Sequence, residues 1–390
     1  MIIFQLAYRN LVGAGLRTWL NVIVLSFSFV AIIGIRGMHD GMQEQIVHAM
    51  IDGEYGGGQF WYEKYDRYDP FTLDEAHGLI PEKLRTAIEQ QDVTPILIIK
   101  GSIYPNGRIQ QVMIKGIAPD QKILNIPTQY LSGDNDEIVA LIGSRMARST
   151  GLKIGDYVTL RWRDINGTFD ARDVRIAQVM NTSVPTIDNG QVWLNLNVLQ
   201  KLTGMTDQAT VVVVEKNWEN QLAIPAWPFK DTNYLLQDMY DVVKSKRTSS
   251  LILFGILLFM AMLAIFNTQI LSIFRRRKEI GTLMALGMTR PAVIQLFTLE
   301  GALHSIGAVL VAAIYGAPLL GLFAKYGLEL PKSMDSYGMA LGEKMFPVYS
   351  GGLILATTII ILITTTIVSY LPTRKISKLK PTDALKGKIA

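Results

Sequence analysis

The sequence predicts an integral membrane protein: four transmembrane α-helices, with a large mixed α/β extracytoplasmic domain inserted between the first and second. Three observations carry this. Thr18 to Ile35, Leu251 to Phe274, Gly301 to Ala324 and Met345 to Thr373 contain no charged residue, and each can supply the roughly 20 helical residues that cross a hydrocarbon core. Charged residues make up 18% of the 390-residue chain against 49% apolar ones, below the roughly 25% of soluble proteins, and the deficit sits in those four stretches. Lys and Arg collect beside the stretches, so the net charge of +5 reads as a topology signal and argues against nucleic acid as a partner.

Residues 1–17 read as a cytoplasmic amphipathic helix. Ile3, Leu6 and Leu11 alternate with Gln5, Arg9 and Asn10 at helical spacing, as in a helix lying in the membrane interface; an extension of the first span is the other reading. The first span takes 18–36. A secretory signal also follows a positive flank, but this apolar run is longer than a signal core and no small-residue cleavage site follows it before Arg36.

Residues 37–250 return to a soluble composition and should fold on their own. Ile96–Ile99, Ile109–Ile117, Tyr157–Trp162, Val174–Val179, Val192–Leu196 and Val211–Glu215 are short β-branched runs bounded by turn residues, which predicts strands. Pro105-Asn106-Gly107 and Asn166-Gly167 are hairpin signals, because Gly supplies the positive φ of a tight turn. Pro81–Gln90, Ser144–Thr150 and Leu235–Lys246 read as helices, with Gly151 at a C-cap. Trp61, Tyr62, Tyr65 and Tyr68 interleave with Lys64 and Arg67; a binding surface and a small core are both open readings. The acidic residues Asp66, Asp69, Asp74 and Glu75 read as a solvated face.

The second span takes 251–274, a cytoplasmic segment 275–290, the third span 291–324, a loop on the opposite side 325–347, the fourth span 348–373 and a cytoplasmic tail 374–390. Arg275, Arg276, Arg277, Lys278 and Arg290 against Glu279, and six tail cations against Asp383, mark the inside. In the 325–347 loop, Lys325, Lys332 and Lys344 balance Glu329, Asp335 and Glu343. Every segment then places both termini in the cytoplasm. In 275–290 a short amphipathic stretch carries Ile280, Leu283, Met284 and Leu286, Gly287 breaks it, and Pro291 opens the next helix. A docking helix for a cytoplasmic partner and an anchored loop both fit. Ala308, Ala312 and Gly316 recur every four residues on the third span, as do Ala313, Ala317 and Gly321; such spacing lets helices approach closely. A subunit interface, a lipid-facing surface and packing within the chain all remain open. Glu300 and His304 lie one turn apart within this span. Such residues invite a proton-relay reading, against which Glu300 near the cytoplasmic end has Arg and backbone partners in reach.

Several chemistries are excluded. With no cysteine there is neither a disulfide nor a thiolate site, and His39, His48, His77 and His304 never take a metal-ligand spacing. No GxxxxGK[ST] occurs, so this sequence carries no P-loop and no enzyme activity is expected.

The run RRRKEIGTLMALGMT followed by LEG resembles the signature of the FtsX-like permease family, which includes LolC/LolE lipoprotein-releasing and MacB-type ABC transporters. Lys278, Glu279, Ile280, Gly281, Ala285, Leu286, Gly287 and Thr289 match it, while Met284 stands where the family often has Arg. LAYRNLVGAGLRTWLNVIVLSFSFV is similar to the family's first span, and LPTRKISKLKPTDALKG to its closing segment through Pro372, Arg374, Pro381, Ala384 and Leu385. IGSRMARSTGLKIGDYVTLRW is similar to an insert motif at Gly143, Ala147, Leu152, Gly155, Asp156 and Val158.

The resemblance implies an extracytoplasmic domain split into an α/β part and a β-rich part at about 118–200. It implies a multi-pass protein of the bacterial inner membrane, assembled with a second permease subunit, same or homologous, and a cytoplasmic ABC ATPase dimer. ATP and Mg would sit in that separate ATPase, with no cofactor on this chain. Residues Arg275, Arg276, Arg277, Lys278, Glu279, Ile280, Leu283, Leu286, Gly287 and Met288 would form the ATPase coupling segment. ATP-driven closure would be relayed to the outside domain, which moves lipoprotein, lipid or peptide cargo, with a carrier protein or membrane lipids as further partners. An alternative is a regulator that activates a cell-wall hydrolase in the manner of the divisome FtsX branch, whose outside domain is smaller. An intramembrane protease has no support, since the spans lack a paired Ser and His or paired Asp.

Overall fold

The computed structural model describes residues 2–13, 15–133, 137–181, 185–218, 222–329 and 344–374. The expected tail from Lys375 onward, with Pro381, Ala384 and Leu385, and most of the 325–347 loop, with Lys332, Asp335 and Glu343, lie outside the described residues. The chain divides into two compact units. One comprises Met1–Gln43, Val243–Leu328 and Met345–Ala390; the other comprises Glu44–Val242 with Glu329–Lys344.

The first unit holds the long apolar helices. Helix α1 (Ile2–Gly13) is separate from α2 (Leu16–Met50), because Gly15 takes φ +60, a left-handed conformation that only glycine adopts freely. Ala7 is fully buried and packs with Ile3, Leu6 and Leu11 against Leu296 and Leu303. The stretches at Thr18–Tyr55, Leu251–Arg275, Arg290–Tyr326 and Gly351–Thr373 are long and apolar enough to cross a membrane. Exposed side chains such as Phe27, Ile256, Phe259, Ile314 and Ile363 suit a surrounding of lipid tails. Helix α2 continues well past the expected end at 36, because apolar residues keep a helical stripe beyond Arg36: Ile46, Val47 and Met50 go into the core of the second unit. Gly37 and Gly41 give room for the chain at Phe346–Tyr349 to lie on α2, with Val348 N donating to Gly37 O at 2.9 Å.

The second unit is built on one nine-stranded sheet. Its elements, after a single π turn at Ile51–Tyr55, are β1 (Gly58–Trp61), β2 (Gly78–Leu79), α3 (Glu82–Glu89), β3 (Val93–Ile103), β4 (Gln110–Ile117), β5 (Val139–Gly143), α4 (Ser144–Thr150), β6 (Tyr157–Arg163) and β7 (Phe169–Met180). There follow α5 (Pro185–Asp188), β8 (Gln191–Asn195), α6 (Leu196–Thr203), β9 (Gln208–Ala209), β10 (Val211–Val214), β11 (Phe229–Asp231) and α7 (Thr232–Leu235). The order is β11-β1-β10-β3-β4-β8-β5-β7-β6, and β6 pairs back onto β3. Six strands therefore close into a barrel, and β3 is shared with the open half of the sheet. Residues alternate between faces along a strand, so Leu97, Ile99 and Ile103 enter the barrel core with Ile114, Trp162 and Leu194, whereas Ile96 and Ile98 face the other way, into a second core.

Strands are thus distributed from Gly58 to Asp231, not gathered at 118–200. Barrel closure needs β3 and β4, whose runs at Ile96–Ile99 and Ile109–Ile117 read from sequence only as an isolated hairpin. That hairpin turns through Asn106 (φ 51) and Gly107 (φ +75). The motif around Gly143 has a local explanation. Asp188 is buried and accepts from Ser144 Oγ at 3.1 Å and from Arg145 N at 3.2 Å, capping α4, and a side chain on Gly143 would collide with the Asp188 backbone. Gly151 closes α4 in the left-handed conformation. Trp61 and Tyr65 are built into the core, while Tyr68 is exposed and donates to Asp238 at 2.7 Å.

Candidate functional site: the junction of the span bases

Helix α8 (Gln237–Arg275) ends in the basic cluster, the short α9 (Arg277–Ala285) follows, and α10 (Arg290–Tyr326) opens with Pro291 in its first turn, where the missing N–H costs nothing. Gly287, at φ +98, makes the turn between α9 and α10. Fourth of the spans is α11 (Gly351–Thr373).

Arg276 lies in the break between α8 and α9 and reaches α10. Its Nη1 donates to both Glu300 oxygens, at 3.0 and 2.9 Å, and its Nε donates to Glu279 Oε2 at 2.7 Å. Burial opposes the guanidinium charge, but the bonds to Glu279 and Glu300 win and hold its pKa above the ordinary value. The same group sits 4.9 Å above the Phe297 ring. Asn10 of α1 donates to Glu300 Oε1 at 2.6 Å, and His304 Nδ1 meets the Glu300 carbonyl at 2.6 Å. One buried carboxylate thus ties α1, the α8–α9 break and α10 together, and the acid is matched by charge as a buried carboxylate requires.

Gly301 lets α10 approach its neighbours: a Cβ there would overlap Ser369 Oγ of α11 and come within 3.2 Å of Gln269 Nε2 of α8. The Glu-Gly pair therefore has two separate physical reasons, an ion pair and a close approach. Ala308 packs with Val22 and Leu25, and Ala312 with Phe29, Val30 and Ile33. A Cβ on Gly316 would come to 2.5 Å from Val30 Cγ2. This small-residue stripe accordingly packs against α2 of the same chain. Ala313, Ala317 and Gly321 are exposed.

The residues expected on the coupling segment divide. Ile280 is fully buried with Ile273, Val293 and Phe297, so it anchors α9 and is not presented to a partner; Leu283 and Met288 are half-buried against Ala7 and Leu296. Arg275, Lys278, Glu279, Leu286 and Gly287 are exposed, Leu286 at 81%. Arg277 is described only in its backbone. Sequence reasoning missed Asn10 and the choice of Arg276 from the basic cluster, because both depend on contacts across 290 and 24 residues. The departure at Met284 removes one Arg from the segment, and the pairing is made from Arg276 instead.

Helices that cross a membrane in four passes, interrupted after the first by a sheet domain and braced at one end by an ion pair, define a multi-pass permease architecture. Residues 251–381 match the FtsX-like permease C-terminal domain, and residues 18–223 match the MacB-like periplasmic core domain. The chain belongs to the FtsX-like permeases that carry a MacB-like periplasmic core domain. It is 24% identical to the macrolide export ATP-binding/permease protein MacB of Escherichia coli, over 98% of this chain and 60% of that protein. To the MacB of Vibrio parahaemolyticus it is 22% identical, over 95% of this chain and 57% of the relative. An uncharacterized ABC transporter permease of Methanocaldococcus jannaschii is 23% identical over 65% of this chain and 63% of its own length. The chain spans about three-fifths of the length of these curated relatives.

Proposed function

We propose that this chain is the permease subunit of an ABC transporter, relaying ATP-driven motion of a separate cytoplasmic ATPase dimer to its inserted domain, which handles lipoprotein, lipid or peptide cargo outside the inner membrane. On this reading both termini are cytoplasmic, a second permease subunit completes the assembly, and ATP and Mg stay in the ATPase. The observation that carries it is the short helix α9. Its inner face is fixed by Ile280 and by the Arg276–Glu300 pair, and it presents Lys278 and the 81%-exposed Leu286 outward. An apolar residue held in water on a braced helix is what a docking surface needs, because binding then orders little that is not already ordered. The names of the relatives, ATP-binding/permease protein and ABC transporter permease, support the same reading.

Purification of the full chain from native membranes in mild detergent tests it. An ABC ATPase should co-purify, and Leu286→Glu should remove it while leaving the helical circular dichroism unchanged. Absence of any ATPase from the native preparation would overturn the proposal, and a cell-wall hydrolase recovered in place of cargo would favour the regulator. Sidedness is tested separately, since the chain has no cysteine. In intact cells a membrane-impermeant thiol reagent should label Ser132→Cys and leave Thr282→Cys unlabelled.

A further inference from the structure

The second unit contains a cavity of about 400 Å³, formed on the sheet face opposite to the barrel core. Register places Ile98 beside Lys115, Lys115 beside Trp193, and Met113 beside Gln191, so these side chains share that face. The π turn at Ile51–Tyr55 covers it and contributes Glu54, and Leu235 and Met239 contribute from the following helices. Single π turns are frequent at functional sites.

Polar groups on a buried sheet face are normally matched, and here most are. Lys115 Nζ pairs with Glu54 Oε1 at 2.9 Å, Arg67 pairs with Asp238 at 2.6 Å, and Gln59 accepts from Trp61 Nε1 at 2.7 Å. Two are not. Gln191 is 6% exposed and its Oε1 has no hydrogen-bond partner among the described residues; Trp193 is fully buried and its Nε1 has none either. Both residues line the cavity. Each such orphan costs about 1–3 kcal/mol, so two on one cavity wall call for a partner. Water alone does not fill the space: one water takes about 30 Å³ of liquid volume, and much of the lining is apolar, with Met50, Ile96, Ile98, Met113 and Val211. The volume falls within the roughly 300–1,000 Å³ of small-molecule sites.

We propose that this cavity binds a neutral ligand in which a secondary amide lies next to an apolar group. The amide N–H would donate to Gln191 Oε1, its carbonyl would accept from Trp193 Nε1, and the apolar group would lie among the methionines and the Trp61 ring. A neutral ligand fits because the charges around the cavity are already paired with one another. A peptide bond beside an apolar side chain and an N-acyl chain both have this chemistry. The inference does not rest on the transporter reading, because it uses only groups of the inserted domain.

Fluorine NMR of the full chain in detergent, labelled with 5-fluorotryptophan and with the Trp193 signal assigned through Trp193→Phe, tests the site. The probes are N-acetyl-L-leucine methylamide for the peptide source and N-methyloctanamide for the acyl source. The Trp193 signal should shift saturably with one of them in the millimolar range, and whichever binds more tightly identifies the source. The N,N-dimethyl analogue, which cannot donate to Gln191, should bind at least about tenfold more weakly, equivalent to 1.4 kcal/mol; Gln191→Leu should weaken the amide probe similarly. No shift up to roughly 10 mM, beyond the range expected of a useful ligand of this size, would overturn the proposal in favour of ordered water. Equal binding of the dimethyl analogue to the unaltered protein would overturn it in favour of unspecific apolar partition, whether or not Gln191→Leu folds.

Discussion

Each unit of this protein buries one ion pair, and the two pairs are set differently. At the span bases, Glu300 accepts from Arg276 and from Asn10, so three parts of the chain meet on one carboxylate. In the inserted domain, Lys115 and Glu54 join only the sheet to the π turn, beside a cavity with two unmatched polar groups. A buried pair contributes little net stability over an apolar replacement, yet removing one partner is costly because a buried charge is stranded. The difference teaches that the junction is a brace: its geometry is over-determined, and force arriving at α9 meets no loose polar contact at Glu300. The domain pair leaves its neighbourhood open to a ligand.

The comparison breaks most sharply at Glu300. Glu300→Leu strands Arg276 and should destabilise the protein by about 3–5 kcal/mol, measured by denaturant unfolding in detergent; Glu300→Gln should cost less, since an amide still accepts. Unchanged stability and ATPase coupling in Glu300→Leu would mean the junction is no brace. Next is the domain pair. Lys115→Met should cost about 2–4 kcal/mol, and adding Glu54→Gln should recover part of it, because the second change removes the stranded charge. Gly301→Ala tests close approach in place of charge. It should cost about 1–3 kcal/mol by overpacking, and Ser369→Gly should restore it, since Ser369 is what the new methyl meets. Smallest is Leu286→Ala. At 81% exposure it should stay within about 0.5 kcal/mol of the unaltered protein, so any loss of ATPase-coupled transport in this variant separates docking from folding.

Much of the architecture was legible because it is written locally. Stretches without charge announce spans, Asn106-Gly107 and Asn166-Gly167 announce hairpins, and Gly15 and Gly287 mark breaks in the helical run. The junction was half legible. Glu300 within an apolar helix and Gly301 beside it stand out, and a neighbouring Arg is the natural partner for the acid. Which arginine serves, and that Asn10 joins it, required the return of α10 against α1 and the α8–α9 break. Ile280 read as part of an outward segment because amphipathic spacing gives two faces without saying which one is covered. The same ambiguity hid the role of Ala308, Ala312 and Gly316, whose spacing announces a close neighbour without naming it.

What the sequence by itself determined is the number and length of the apolar helices, the position of the inserted domain between the first two of them, and the local turns, all set by composition and short-range backbone preference. Only the tertiary structure decided that β6 closes onto β3, that Arg276 takes Glu300, and that Gln191 and Trp193 share one cavity wall. These are pairings between residues far apart in the chain. A carboxylate, a lysine or an indole has the same local pattern whether its partner is present or missing, so the partner is fixed by packing and not by spacing.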